Sequence, residues 1–79
     1  MNSPAELSAL ALDLHEARAA FREALAAQDR AFARLENSTA ENVAANERAH
    51  RACIQATNKA GAHAAALHCR LISRDFPAR

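Results

Sequence analysis

The chain holds almost nothing that would interrupt a helix: one glycine in 79 residues, and two prolines confined to positions 4 and 77. Tryptophan and tyrosine are absent and phenylalanine occurs three times. That excludes an aromatic core and gives no platform on which bases could stack. No segment approaches the roughly 18 consecutive apolar residues needed to span a bilayer. The amino terminus also lacks the basic stretch and apolar run of a secretory signal. A soluble cytoplasmic protein, without membrane contact, is the expectation.

Charge of one sign is lacking too. The formal net charge of +1 argues against a dedicated nucleic-acid binder or a polybasic membrane anchor. Residues 1–39 carry six acids and four bases, and residues 40–79 carry three acids and six bases, so the second half is mildly electropositive. The two cysteines, Cys53 and Cys69, stand sixteen residues apart on one expected helix. That is about 24 Å along its axis, beyond the reach of a disulfide, and reduced thiols are expected.

What the chain has is alanine, 23 residues of it, in two long windows separated by Glu36-Asn37-Ser38-Thr39. Alanine is the strongest helix former. The first window opens on Ser3-Pro4-Ala5-Glu6, where Ser3 caps the backbone at Glu6 and Pro4 sits in the first turn. Leu7, Leu10, Leu14, Ala17, Phe21, Leu25, Gln28, Phe32 and Leu35 then recur every three or four residues as one stripe. The spacing of eleven in Leu10–Phe21–Phe32 and Leu14–Leu25 predicts a nearly straight helix pair rather than a long left-handed coiled coil.

Ser38-Thr39-Ala40-Glu41 repeats the capping-box spacing, so helix two is expected from about residue 40 to about residue 73, after a turn at 37–39. Phe76 is expected to pack back and Pro77 to stop the helix. The second stripe is weaker: Val43, His50, Cys53, Ile54, Thr57, Ala60, Gly61, Ala64, Leu67, His68, Leu71 and Ile72. The short connection makes the arms antiparallel, with residues whose numbers sum to about 78 facing each other. Phe21 then lies over a Thr57–Gly61 depression, and Gly61 serves close approach.

The fold class is therefore all-α: one domain over residues 1–79, an antiparallel two-helix hairpin. A lone hairpin encloses a seam rather than a core and is marginally stable, so dimerisation into a four-helix bundle is expected. Enzyme activity is not, because two helices offer no pocket that excludes water around a nucleophile and its base. His50, Cys53, His68 and Cys69 have the chemistry of zinc ligands. Positions 50 and 68 are about 27 Å apart on one helix, so these four could meet a metal only across a dimer, and no metal or cofactor is expected. Leu12, opposite the stripe, and the basic residues Arg48, Arg51, Lys59 and Arg70 are the candidates for partner contact.

With Ser3-Pro4-Ala5-Glu6 opening one Ala/Leu arm and Asn37-Ser38-Thr39 opening the other, the chain resembles the small helical-hairpin early proteins of Mu-like Pseudomonas phages, including the anti-quorum-sensing type. The resemblance lies in architecture, size and composition. It implies a homodimer that binds and inhibits a bacterial host or regulatory protein. The chain is also similar, on the same grounds, to the small co-chaperones of type III secretion needle subunits, which implies a chaperone or adaptor for an assembly subunit. A nucleic-acid-binding hairpin dimer is the third alternative.

Overall fold

A computed structural model describes the backbone of residues 3–75 and the side chains of residues 3–73. Two helices, α1 (Pro4–Glu36) and α2 (Val43–Asp75), pack against each other as an antiparallel hairpin. The expected contacts of Phe76 and Pro77 lie outside the described residues. Helix α1 begins as its sequence dictates: Ser3 is extended, and its hydroxyl accepts from the Glu6 N–H at 3.1 Å, which satisfies one of the donors that a first turn leaves open.

The turn is longer than the sequence suggests, and α2 starts at Val43 rather than near residue 40. Ser38 does not cap α2. Its hydroxyl donates back to the Arg34 carbonyl at 3.0 Å and accepts from Asn46 Nδ2 at 2.8 Å, so it closes α1. Capping passes to Thr39 and Asn42. The Thr39 N–H donates to Asn42 Oδ1 at 2.8 Å, and the Thr39 carbonyl accepts from the Val43 N–H at 3.0 Å. Asparagine thus does the reaching back expected of Glu41.

The extra turn residues move the register by about one helical turn. Phe21 meets Gly61 and Phe32 meets His50, so facing residues sum to about 82 rather than 78. The seam also follows a different period. Leu7, Leu10, Leu14, Ala17, Phe21, Ala24, Gln28, Ala31 and Leu35 on α1 are buried or half-buried at strictly alternating intervals of three and four. On α2 the same intervals run through Asn46, His50, Cys53, Thr57, Ala60, Ala64, Leu67 and Leu71. This is the heptad pattern of a coiled-coil seam, against the eleven-residue pattern expected. Leu25 and Phe32, assigned to the seam by their size, are instead exposed at its edge, as are Val43 and Ile72. Ala24 and Ala31 take their places. A small side chain in the seam lets the backbones approach, and the bulky residue beside it is turned outward.

The core sits at the end of the hairpin away from the turn: Leu10, Leu14, Ala17, Ala64 and Leu67, with Leu71 packed against them. Towards the turn, small and polar groups replace it. Thr57, buried at 6% exposure, places its hydroxyl 3.2 Å from the Ala24 carbonyl across the seam and 2.9 Å from the Cys53 carbonyl on its own helix. Its one proton can serve one of them at a time. Thr57→Val, which keeps the shape and removes the donor, is expected to cost about 1 kcal/mol in urea unfolding; no change would mean that the cross-seam bond contributes nothing.

At Gly61 the Phe21 ring packs against the α2 backbone. A Cβ built there would lie 2.9 Å from Phe21 Cε1 and 3.3 Å from Cδ1, closer than carbon atoms tolerate, so glycine gives the ring its place. In an open helix Gly→Ala gains about 1 kcal/mol. Gly61→Ala is expected to lose that gain to the collision and to recover it in a Phe21→Ala background. A double-mutant cycle measures the difference, on the order of 1 kcal/mol; simple additivity would remove the close-approach role.

Candidate interaction surfaces

The heptad seam divides the rest of the hairpin into two broad faces and an outer surface. On one face α1 contributes Arg18, Leu25 and Phe32, and α2 contributes Glu47, Ile54, Gly61 and His68, all at the flanking position that follows each seam pair. Contacts across this face fix its geometry. Arg18 Nη2 lies 3.0 Å from His68 Nδ1, and because arginine only donates, that nitrogen accepts. The Phe32 and His50 rings stand 5.4 Å apart at 45°. Between these two contacts run Phe21, Leu25 and Ile54, so the middle of the face is an apolar ridge. Phe32 remains 48% exposed on it, and at its ends the face carries Arg18 and His68 on one side and Glu47 on the other.

The opposite face is smooth. Ala20 and Ala27 of α1 and Ala49 and Ala56 of α2 share it, and at its end away from the turn lies a groove of about 430 Å³. Ala17, Ala20 and Leu67 form its floor, Asp13 and Glu16 one lip, and His63 and Arg70 the other. No serine or cysteine lines the groove.

Leu12 stands on the outer surface of α1, 56% exposed, in line with Ala5, Ala19, Ala26 and Ala33. The four basic candidates are all exposed but do not form one edge. Arg70 lies on the groove lip. Arg51 is held by Glu47 at 2.6 Å, one turn earlier. Arg48 and Lys59 occupy other positions around the outer surface of α2. The structure therefore brings none of the four together with Leu12.

The four metal-capable residues stay apart as well. Cys53 is a half-buried free thiol in the seam and Cys69 an exposed one, while His50 and His68 are engaged with Phe32 and Arg18. Among the described residues no three His, Cys, Asp or Glu side chains gather where they could hold a metal ion. Nor is any helix among them long and apolar enough to cross a membrane.

Sequence reasoning missed the ridge. Its signal was present: counting threes and fours from Leu7 runs unbroken to Leu35, with alanine at every second position after Ala17, and leaves Leu25 and Phe32 unplaced. Comparison with protein-family models, with curated proteins and with solved structures finds no match for this chain.

Proposed function

We propose that the protein is a non-enzymatic protein-binding modulator, a hairpin homodimer in the form of a four-helix bundle that binds and inhibits a bacterial protein. The observation that carries this reading is the amount of surface left uncovered. The chain exposes 5926 Å², whereas a compact monomer of 8.5 kDa exposes about 4,650 Å². The excess, about 1,300 Å², exceeds the roughly 800 Å² that each partner contributes to a standard interface. The radius of gyration tells the same story, 17.7 Å against about 12 Å for a compact chain of this length. The resemblance in size and composition to the early proteins of Mu-like phages supports the inhibitory version.

Two faces allow two roles. One covers the seam by self-association, and the outer surface, with Leu12 on α1 and Arg48, Arg51, Lys59 and Arg70 on α2, offers contacts to a target. The adaptor alternative leaves the ridge open for a client. Light scattering on the purified protein separates the two: a stable dimer supports the modulator, and a monomer rescued from partial unfolding by a client supports the adaptor. Affinity capture from a bacterial lysate, read by mass spectrometry, then finds the target. Leu12→Asp is expected to keep full helicity and the dimer while weakening target capture about ten-fold or more; unchanged capture removes Leu12 from the contact surface.

A further inference from the structure

The apolar ridge has a self-complementary arrangement of charge and bulk. Arg18 and Glu47, Leu25 and Ile54, and Phe32 and Gly61 are separated by one and the same interval along the chain, and the first member of each pair lies on α1, the second on α2. The contacts of Phe21 with Gly61 and Phe32 with His50 set the heights of the two helices relative to each other. On that register, a two-fold axis that crosses the ridge between Leu25 and Ile54, perpendicular to the helices, sets all three pairs level across two copies at once.

We propose that the occupant of this ridge is a second copy of the chain, related by that crossing axis. This rests on the homodimer reading above and adds to it a face, an axis and a register. Leu25 comes level with the partner subunit's Ile54, and Phe32 with the partner subunit's Gly61, over which the Phe21 ring of that same subunit already lies. At each end Arg18 comes level with the partner subunit's Glu47. The surface excess over a compact chain, about 1,300 Å², is enough to supply the roughly 800 Å² that each partner contributes to a standard interface.

Charge decides between the two ways of stacking this face on itself. An axis running along the helices would also join the ridges, but it would set Arg18 level with Arg18 and Glu47 level with Glu47, like charge against like at both ends. The crossing axis sets opposite charges together, twice per dimer. The Arg18 guanidinium has further donors beyond the Nη2 that meets His68, and Glu47 carries a second carboxylate oxygen beyond the one that Arg51 holds.

The test is sedimentation equilibrium on the full chain, with circular dichroism on the same samples to follow helix content. Arg18→Glu is expected to raise the dimer dissociation constant at least about ten-fold without loss of helix at concentrations where dimer persists. Adding Glu47→Arg to that variant is expected to restore it to within about three-fold of the parent. A dimer that ignores Arg18→Glu, one that tightens on it, or one that the second change fails to rescue overturns the crossing axis and leaves the homodimer standing. A parent protein that sediments as a folded monomer overturns both.

Discussion

Leu14→Ala is expected to lower the unfolding free energy by about 2–5 kcal/mol, enough to leave the hairpin largely unfolded at micromolar concentration. Leu14 is 4% exposed and belongs to a buried cluster in which two of the five members are already alanine. Truncation there leaves a void that Ala17 and Ala64 are too short to fill. In a larger core neighbouring side chains relax into such a space, but here the neighbours lie along a single seam. Urea unfolding followed by far-UV circular dichroism measures the loss. Leu12→Ala, on the exposed outer surface, is the control and should stay within about 0.5 kcal/mol of the parent. A Leu14 variant as stable as that control would mean that the seam is not the source of stability.

The second large effect belongs to the ridge. Leu25→Asp combined with Phe32→Asp is expected to weaken self-association by more than about a hundred-fold. Complete burial of each such side chain contributes about 1.5–3 kcal/mol, and in the hairpin alone both are already partly covered, at 38% and 48% exposure. About 1 kcal/mol per side chain remains to be gained, on four side chains in a dimer, or about 4 kcal/mol in all. The substitutions also place carboxylates where two apolar surfaces meet, which adds a desolvation cost. Sedimentation velocity across a dilution series reads the change. A dimer of unaltered strength would assign the interface to the alanine-lined face instead.

The overall shape was legible because it depends on properties local to the sequence. Uninterrupted alanine, the cap at Ser3, and the polar Asn37-Ser38-Thr39 turn each act within a few residues, and they specify two helices without reference to anything distant. Gly61 and Phe21 were also placed together correctly, even with the register displaced, because a bulky side chain and a glycine near the same height find each other within one turn. The displacement itself came from the turn. With Ser38 bonded to Arg34 and Asn46 and with Asn42 rather than Glu41 reaching back to Thr39, α2 starts at Val43, about three residues later than the capping-box spacing suggests.

The seam was misassigned for a related reason. Apolar size pointed to Leu25 and Phe32, but an antiparallel pair held this closely selects the residues that permit approach, Ala24 and Ala31. Position in the repeat outranks hydrophobicity when the partner helix is itself alanine-rich. The ridge is the consequence, since large apolar groups excluded from a tight seam are carried on its flank. Leu12 is a candidate for contact because it lies off the stripe, and Arg48, Arg51, Lys59 and Arg70 because they are basic residues of the electropositive second arm; all five are exposed. Their scatter around the hairpin follows from the heptad geometry, which places Arg48, Arg51, Lys59 and Arg70 at different positions of the repeat.

The most direct test of the hairpin as half of a larger bundle is the thermal midpoint of the parent protein over an approximately hundred-fold range of concentration. A midpoint that climbs steadily with concentration, together with a dimer mass in sedimentation equilibrium, is the result expected if association completes the fold. A midpoint independent of concentration, with a fully helical monomer throughout, would contradict it.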